Sequence, residues 1–379
     1  MRVAGIMSGT SLDGIDVAIV DICGSSWRKR VQLRAFYNEA YPRAIRDALL
    51  RVSNAATHTA EIARLHFLLG RLYATAVKRA CRRGGVRLET VELIASHGQT
   101  IFHEGDPVSF LGHRVASTLQ IGDGSVIAEL TGKPVVSDFR PRDIAAGGRG
   151  APLVPYADYL LFRHRQHNRV VLNIGGIANL TAVPAKARPE EVIGFDTGPG
   201  NMVIDALVDI YSGGKLKFDR DGRMAAKGKV IRPLLNQLLA DPYYRRRPPK
   251  TAGREQYGRE FVSKLVATGY ALPDLIATAT VLSAATIAKS IRRFVVPVMR
   301  VDQVIVSGGG AHNPRIIEHL VALLTDMNVC TSEQYGVSVD AKEALAFALL
   351  GYETWRRRPS NLPSVTGAAR PVVLGKVSY

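Results

Sequence analysis

The amino-acid sequence predicts an α/β protein built from two duplicated domains. Its 379 residues exceed the length at which a single hydrophobic core stops growing, so two domains are expected. The apolar share of 46% suits a chain that is globular throughout. Two segments, 3–22 and 170–181, each consist of a strand-like apolar run, a glycine-containing polar turn and a second apolar run. Their residue identity is too low to define a repeat, but the shared pattern predicts a duplicated topology with a ligand-binding cleft between the domains.

The first half of the chain opens with strands separated by short turns, which predict an antiparallel meander. The predicted elements of this half are, in chain order, strands at 3–6, 17–22 and 31–37, helices near 44–53 and 60–83, a strand at 91–95, a helix near 125–131 and a strand at 135–137. The strand at 91–95 is apolar except for Glu92 and is predicted to be buried. It delivers Ser96, His97 and Gln99 to the strand end at which open α/β sheets bind their ligands.

The second half follows a Gly/Pro-rich connection at 147–155. Its predicted elements are, in chain order, a helix near 156–163, the strand pair in 170–181, a strand at 192–195, helices near 202–211 and 277–294, a strand at 304–306, a helix from 314 and a helix near 341–357. The polar, proline-rich segment 213–258 predicts an excursion over the surface. We expect an N-terminal lobe of 1–140 with 360–379 and a C-terminal lobe of 141–359.

The charge is strongly basic, with 50 Lys and Arg against 33 Asp and Glu and a formal net charge of +17. Such a charge raises the question of a nucleic-acid partner. The basic clusters, at 28–30, 79–83, 245–247 and 356–358, are scattered, and no nucleic-acid-binding module accompanies them. We therefore expect solvated surface and no nucleic-acid partner, in a field that favours anionic small molecules.

The cysteines and the apolar runs indicate the compartment. Cys23, Cys81 and Cys330 lie far apart in sequence, which predicts neither a disulfide framework nor a zinc site. The apolar run after Arg2 is too short for a signal-peptide core, and no later run is expected to approach membrane-spanning length. We expect a soluble, cytoplasmic protein with no membrane partner.

The turn between the first two strands has the composition of a phosphate site. Its glycines can reach positive φ and let backbone N–H groups converge on an anion, its hydroxyls add donors, and its two carboxylates could hold a metal ion through water. The candidate residues are Gly9, Thr10, Ser11, Leu12, Asp13, Gly14, Ile15 and Asp16, with Asp13 and Asp16 as outer-shell metal contacts. The alternative is an ordinary hairpin turn.

Two further turns of this kind follow predicted strands, at 196–201 and 307–313. Their candidate nucleotide contacts are Gly198, Gly200, Asn201, Gly308, Gly309, Gly310 and Asn313. The three turns in this order resemble the two phosphate turns and the adenosine turn of the actin, hexokinase and Hsp70 class, in which two duplicated ribonuclease H-like domains close over ATP. A P-loop is excluded, because the chain has no Gly-x4-Gly-Lys-Ser/Thr.

Collinear segments make the resemblance specific over nearly the whole chain. They are MSGTSLDG at 7–14, SHGQT at 96–100, GFDTGPGN at 194–201, EALAFA at 343–348 and NLPSVTGA at 361–368. This set resembles the anhydro-N-acetylmuramic acid kinases. The resemblance implies the conversion of 1,6-anhydro-N-acetylmuramic acid, ATP and water to N-acetylmuramic acid 6-phosphate and ADP in peptidoglycan recycling. It also implies Mg²⁺ as cofactor and a homodimer.

Asp196 is the candidate general base. In the anhydro sugar O6 is tied to C1 as an ether, so a group must activate water to attack C1, and a carboxylate at a strand end suits this task. Asp196 follows the apolar run 192–195 and precedes Gly198 and Gly200, whose N–H groups can meet phosphate oxygens. The alternative is that Asp196 caps the next helix, although that helix begins too far downstream to explain both glycines.

Four further residues match positions that could bind the sugar. Arg140 has a guanidinium suited to the sugar or to a phosphoryl group, with an ion pair to Asp138 or Asp143 as the alternative. Glu343 matches a family sugar contact, but it could instead complete a capping box at a helix start. His97 and Gln99 could hydrogen-bond the sugar, and a buried structural histidine is equally consistent with the pattern.

The chain departs from the family at a few positions. The family commonly has Lys-Ser-Thr-Gly-Arg-Glu where this chain has KTAGRE at 250–255, which removes a hydroxyl at Ala252. Tyr257 and Gly258 replace an expected Phe-Asn. Two other functions remain open at this point: an ordinary sugar or polyol kinase of the same fold class, and a nucleotide-switched, chaperone-like ATPase.

Overall fold

The computed structural model describes residues 1–9, 12, 14–24 and 29–379. The chain divides into two compact units. Unit 1 comprises Met1–Leu161 and Ala341–Tyr379, and unit 2 comprises Phe162–Asp340. The observed division differs from the expected one at both boundaries where the chain passes between the units, because residues 141–161 and 341–359 belong with unit 1.

The described residues form the following strands and helices, in chain order. The strands are β1 (Arg2–Ser8), β2 (Gly14–Cys23), β3 (Arg30–Ala40), β4 (Leu93–Phe110), β5 (His113–Ile121), β6 (Val135–Ser137), β7 (Arg169–Ile174), β8 (Ile177–Val183), β9 (Ile193–Pro199), β10 (Gln303–Ser307), β11 (Asn328–Thr331) and β12 (Lys376–Ser378). The helices are α1 (Arg43–Val52), α2 (Thr59–Arg83), α3 (Gly124–Thr131), α4 (Phe139–Ala145), α5 (Val154–Phe162), α6 (Met202–Tyr211), α7 (Arg232–Leu239), α8 (Arg254–Tyr257), α9 (Arg259–Val266), α10 (Leu272–Ser290), α11 (Pro314–Leu323), α12 (Lys342–Trp355) and α13 (Pro363–Thr366).

The sheet of unit 1 has the strand order β12-β6-β4-β1-β2-β3, with β5 paired to β4. Strands β1, β2 and β3 form the predicted antiparallel meander. Strand β4 is parallel to β1, and β6 is parallel to β4. A parallel neighbour requires a crossover, which α1 and α2 provide between β3 and β4.

The sheet of unit 2 repeats this arrangement with the order β11-β10-β7-β8-β9. Strands β7, β8 and β9 are antiparallel, while β10 is parallel to β7 and β11 is parallel to β10. The path β9-β8-β7-β10-β11 therefore matches the path β3-β2-β1-β4-β6 in order and direction. The predicted α/β fold and its duplicated topology are confirmed.

The antiparallel hairpin of β4 and β5 was not predicted. Strand β4 continues well beyond the predicted strand at 91–95, as far as Phe110, and pairs with β5 through Phe102 opposite Leu119 and Val108 opposite Val115. The pairing is irregular between Glu104 and Val108, a stretch that includes Gly105 and Pro107. Glycine and proline are depleted in strands, so the sequence pattern hid this hairpin.

Helix α10 is the central helix of the unit 2 core. The helical stretch Leu272–Val295 is long and apolar enough to cross a membrane by length and composition, with a mean hydropathy of 1.3, and 78% of that apolar window is buried. The expectation that no stretch reaches this length is therefore wrong. Burial of this kind is typical of the core helix of a globular domain, which passes the same test.

The segment 213–258 also differs from its prediction as a surface excursion. It contains α7 and α8, and the side chains of Tyr243, Tyr244, Lys250 and Tyr257 are buried. The segment was predicted to be exposed because it contains many charged and proline residues, which are typical of surface loops.

Helix α12 explains why residues 341–359 belong to unit 1. Its small residues lie directly on the central strands, so that a Cβ added to Gly5 would come within 2.0 Å of the Ala344 carbonyl oxygen and 2.7 Å of the Ala348 amide. A Cβ on Gly351 of the helix would meet Ala95 at 2.4 Å. Strand and helix can approach this closely only because glycine stands at these positions.

We predict that Gly5→Ala destabilises the protein by about 2 to 3 kcal/mol, because the added methyl group forces α12 away from β1. Urea denaturation measures the free energy of unfolding. The control is Gly85→Ala, whose methyl group would meet nothing within 4 Å and which incurs only the left-handed backbone penalty of about 1 kcal/mol. Equal losses in the two variants would contradict the proposed close packing.

Candidate active site

The first polar cluster of unit 1 lies where β1 ends beside β4. Ser8 pairs in register with Gln99, and its hydroxyl donates to Gln99 Oε1 at 2.6 Å. Because that donation uses the single hydroxyl proton of Ser8, the Tyr41 hydroxyl donates to Ser8 Oγ at 2.7 Å. Gln99 is fully buried, and its Nε2 donates to the Gly9 carbonyl oxygen at 3.2 Å. Gln99 therefore holds the start of the first turn.

The first turn contains several of the candidate phosphate contacts. Leu12 has a φ of 60°, and its N–H donates to the Gly9 carbonyl at 3.2 Å. A Cβ on Gly14 would lie 2.3 Å from the Glu39 carbonyl oxygen, so the approach of β3 requires glycine. The predicted residues Thr10, Ser11 and Asp13 lie outside the described residues.

The other two candidates in this turn lie at the start of β2. Ile15 is buried in the core, which leaves its backbone as the part that can contact a ligand. Asp16 is half-buried, and its Oδ1 accepts from Asn38 Nδ2 at 2.6 Å.

His97 and Arg140 are in direct contact. Arg140 donates to His97 Nε2 from Nε at 3.2 Å and from Nη2 at 2.8 Å. Burial and the neighbouring guanidinium lower the pKa of His97 to about 3, so the ring is neutral. Since Nε2 accepts from Arg140, the ring proton lies on Nδ1 and is donated to the Ser8 carbonyl at 3.3 Å. Both ring nitrogens are thus engaged by the protein, and the ring packs on Phe347.

Arg140 is oriented by the loop that follows α4. Its Nη1 donates to the Gly150 carbonyl at 2.8 Å, and burial lowers its pKa to about 10, a value at which it stays cationic at neutral pH. The alternative ion pairs with Asp138 and Asp143 are not what holds this side chain. Asp138 forms an ion pair with Lys376. The Asp143 carboxylate accepts hydrogen bonds from other residues.

Asp143, which the sequence suggested only as an ion-pair partner of Arg140, is a buried carboxylate with a different role. It accepts from the Gly150 N–H at 2.8 Å, from Asn361 Nδ2 at 2.7 Å and from Thr366 Oγ1 at 2.8 Å. Asn361 and Thr366 belong to the NLPSVTGA segment, so Asp143 connects that segment to the loop that contacts Arg140. The motif identified at 361–368 therefore has a structural role in orienting Arg140.

Glu343 lies in the first turn of α12. The cap position of that helix is Ala341, and among the described residues no side chain caps it, so the capping-box alternative for Glu343 is not observed. The neighbouring Lys342 forms a buried ion pair with Asp158 at 2.9 Å. Burial raises the pKa of Glu343, while the positive charges of Lys342 and Arg140 oppose this effect.

In unit 2, Asp196 is held by three hydrogen bonds from one segment. Its backbone N–H donates to the Lys250 carbonyl at 3.1 Å, and its own carbonyl accepts from the Tyr243 hydroxyl at 2.8 Å. Its Oδ2 accepts from the Ala252 N–H at 2.9 Å. The N-cap position of helix α6 is Asn201, five residues after Asp196, so the alternative role of Asp196 as that helix cap is not observed.

The environment of Asp196 brings its pKa close to neutrality. Burial raises the pKa to about 7, the Ala252 N–H and the Lys250 charge oppose the rise, and the Glu255 charge adds to it. The hydroxyl that the family carries at position 252 is absent here, but the bond to Asp196 comes from the backbone and is kept. Tyr257, the other departure, is buried and donates its hydroxyl proton to Tyr244 at 3.1 Å.

The second turn packs against the β7–β8 turn. The N–H groups of Gly200 and Asn201 donate to the carbonyls of Gly176 and Gly175 at 2.9 Å and 2.8 Å. A Cβ on Gly200 would lie 2.2 Å from the Gly175 oxygen, and Gly198 has a φ of 144°. Glycine is therefore required at both positions.

The third turn lies beside the second. Gly308 has a φ of 79°, and a Cβ on Gly310 would lie 3.2 Å from Asn201 Oδ1. Gly309 is likewise close to Asn201, with its Cβ position 3.5 Å from Nδ2. Asn313 caps α11 by accepting from the Arg315 N–H at 3.1 Å. The structure thus brings the second and third turns together within unit 2.

Sequence reasoning missed several residues of the site. Asp143, Tyr243 and Lys250 all contact or orient a predicted residue, but none stands in a turn rich in glycine and hydroxyl side chains. The only sequence signal for Lys250 is its place at the start of KTAGRE.

We predict that Asp143→Ala destabilises the protein by about 3 kcal/mol, because three buried donors lose their acceptor. The loss should be accompanied by faster amide hydrogen exchange at 146–150 and 361–368. Chemical denaturation and hydrogen exchange followed by mass spectrometry measure the two effects.

Thr366→Val is the matched control, since it removes a single donor from the same carboxylate and should cost about 1 kcal/mol. An Asp143→Ala protein with wild-type exchange in both segments would contradict the role assigned to Asp143.

Comparison with known proteins shows the family of the chain. A family model described as anhydro-N-acetylmuramic acid kinase matches residues 1–379. The anhydro-N-acetylmuramic acid kinase of Caldanaerobacter subterraneus subsp. tengcongensis is 43% identical over 381 residues, covering 99% of this chain and 96% of the relative. That of Bacillus cereus strain Q1 is 43% identical over 385 residues, covering 100% and 99%. The chain belongs to the anhydro-N-acetylmuramic acid kinase family and is an enzyme, a kinase that acts on a sugar.

Proposed function

We propose that this enzyme opens the 1,6-anhydro ring of 1,6-anhydro-N-acetylmuramic acid with water and transfers the γ-phosphoryl group of ATP to O6. The products are N-acetylmuramic acid 6-phosphate and ADP. The observation that carries the proposal is Asp196, a carboxylate held at the end of β9 by the Ala252 N–H, with a pKa of about 7. A carboxylate with such a pKa is about half ionised at pH 7, and its ionised form is a stronger base than an ordinary carboxylate.

The reaction needs one base, and it needs no free hydroxyl group at C6 of the sugar. Asp196 takes a proton from water as the water oxygen bonds to C1, and the C1–O6 bond breaks. The electron pair of that bond stays on O6, which bonds to the γ-phosphorus as the bond to ADP breaks. The proton remains on Asp196 until it returns to solvent.

Arg140 and Glu343 are the proposed sugar contacts. The Arg140 guanidinium stays charged and is fixed by His97 and Gly150, which suits it to an anionic or hydroxyl-rich ligand. The half-buried Glu343 carboxylate can accept hydrogen bonds from sugar hydroxyl or amide groups. His97 and Gln99 were predicted as sugar contacts as well. Their polar atoms are bonded to Arg140 and to the first turn, so we propose that they support these groups from behind.

The three glycine-rich turns are the proposed ATP site. Backbone N–H groups in the first turn and at Gly198 suit the phosphates, and residues 308–313 suit the adenosine. The predicted donation from Gly200 is not observed, because its N–H donates to the Gly176 carbonyl, so Gly200 serves the close packing of the second turn. Helix α11 begins directly after the third turn, so its N-terminus adds a favourable dipole for a nucleotide.

Mg²⁺ is the proposed cofactor, and it neutralises phosphate charge when bound with ATP. Within the part of the chain that the structure describes, there is no group of three or more His, Cys, Asp or Glu side chains that could hold a metal ion. The half-buried Asp16 carboxylate fits a contact to a metal-bound water, which suits an ion held chiefly by phosphates and water.

The same proposal places the enzyme in peptidoglycan recycling, in the cytoplasm and as a homodimer. The support for these three points is the family to which the chain belongs. A phosphorylated product is retained in the compartment where ATP is available, which favours the cytoplasm.

We predict that Asp196→Asn lowers sugar-dependent ADP release by about a thousandfold, because the water loses its base. ATP binding, measured by calorimetry, should remain. The wild type should release ADP with 1,6-anhydro-N-acetylmuramic acid and not with N-acetylmuramic acid or N-acetylglucosamine.

Asp209→Asn is the matched control, because it removes the same charge from an exposed position in unit 2 and should leave turnover unchanged. Preference for an open sugar would favour an ordinary sugar kinase instead. The absence of stimulation by any sugar would favour a nucleotide-switched ATPase.

We also predict that kcat/KM for the anhydro sugar rises with pH and levels off above about pH 7, because the base must be ionised to accept a proton. The inflection follows from the pKa of Asp196, which burial raises to about 7. Initial rates measured across this range test it. A profile that is flat through pH 6 to 8 would argue against Asp196 as the base.

A further inference from the structure

Lys250 is a buried cation without a direct carboxylate partner. Only 3% of the residue is exposed, and its Nζ donates to the Tyr243 carbonyl at 3.2 Å. Among the residues that the structure describes, Lys250 forms no ion pair with a carboxylate, and Asp196 acts on it only through its charge. Buried lysines are rare unless they are paired, so a buried and unpaired cation in a candidate active site indicates a function.

Three aromatic rings surround the Lys250 ammonium. It lies 4.5 Å from the centroid of Tyr243, 4.9 Å from that of Phe294 and 5.7 Å from that of Phe195. Each ring presents a negative face to the cation, which replaces part of the water that burial removes. The three rings come from the turn at 242–245, the end of the α10 stretch and strand β9. Lys250 therefore ties these elements together.

The same elements hold Asp196. Phe195 is its neighbour on β9, the Lys250 carbonyl accepts from the Asp196 N–H at 3.1 Å, and the Tyr243 hydroxyl donates to the Asp196 carbonyl at 2.8 Å. Two residues of the cage thus bond directly to the backbone of Asp196. The Lys250 side chain itself reaches the base through Tyr243, whose ring and carbonyl contact the ammonium and whose hydroxyl donates to Asp196.

The charges around the pair favour an electrostatic link. The positive charge of Lys250 lowers the pKa of Asp196, and the negative charge of Glu255 raises it. The charge of Asp196 in turn raises the pKa of Tyr243. Lys250 senses Asp196 together with the positive charges of Arg246 and Arg293. Burial lowers the pKa of Lys250 to about 8, and Asp196 opposes this effect. The lysine is therefore still cationic at the pH at which Asp196 loses its proton.

We propose that Lys250 is a positioning residue for the general base: its caged ammonium fixes the end of β9 and supplies the positive charge that keeps the Asp196 carboxylate ionised. This inference rests on the proposed function, in which Asp196 activates water. If Lys250 only filled space, methionine, which has a similar length and packs among aromatic rings, would replace it without electrostatic consequence.

The test compares Lys250→Met, Lys250→Arg and Lys289→Met with the wild type. Lys289 is exposed on α10, so Lys289→Met removes the same charge without entering the cage. The carboxyl carbon of Asp196, labelled with ¹³C and assigned with Asp196→Asn, reports its titration by NMR. Rates with the anhydro sugar give the pH profile of kcat/KM in parallel.

Lys250→Met should raise the Asp196 titration midpoint and the acid limb of kcat/KM by about half a pH unit, because an opposite charge favours the ionised carboxylate and Lys250 is the smallest of the four influences on Asp196. Lys250→Arg should restore most of the shift, and Lys289→Met should leave the midpoint at the wild-type value. An unchanged midpoint in a folded Lys250→Met protein overturns the proposal. The titration does not depend on turnover, so a wild type that ignores the anhydro sugar would refute the proposed function and leave this measurement intact.

A measurement on the wild type keeps the test decisive if Lys250→Met does not fold. Two coupled groups each show an inflection at the midpoint of the other. The ¹³Cε signal of Lys250 should therefore shift at the Asp196 midpoint, and the Asp196 carboxyl signal should shift near pH 8 as Lys250 loses its proton. Independent single-step titrations of the two groups would overturn the proposal.

Discussion

Both units depend on a polar contact between the first strand of the sheet and its parallel neighbour. In unit 1, Ser8 at the end of β1 donates to Gln99 on β4. In unit 2, Ser307 at the end of β10 pairs in register with Asn173 on β7 and donates to the Leu172 carbonyl. Parallel strands bring their carboxyl ends to one edge of the sheet, so these contacts fix the starting points of the glycine-rich turns. The first turn is then closed by the antiparallel strand β2, whereas the third turn leads into helix α11.

Burial gives the polar side chains near these turns different protonation states and different roles. The His97 ring is kept neutral and can accept from a guanidinium, while Asp196 is brought to a pKa of about 7. Asp143, although buried, has three donors and serves as a structural acceptor. Carboxylates thus take different roles according to the donors and charges that the surrounding backbone supplies.

Much of the fold could be predicted because it depends on local periodicity. The meander, the crossover helices and the three turns follow from apolar alternation and glycine placement, and Asp196, Arg140 and Glu343 could be selected because they stand in recognisable motifs. The β4–β5 hairpin was missed, because glycine and proline interrupt its strand pattern. The burial of 242–257 was missed as well, since its charged and proline residues resemble a surface loop.

The sequence by itself determined the fold class, the family and the residue types available at each turn, because these depend on order along the chain. Only the tertiary structure decided which of those groups are buried and which hydrogen-bond donors contact them. Asp143 became the acceptor for a segment more than 200 residues away, with Thr366 at a separation of 223. Lys250 was placed among rings from three elements, beside the backbone of Asp196. Desolvation and partner choice are properties of packing between distant segments, so no local pattern encodes them.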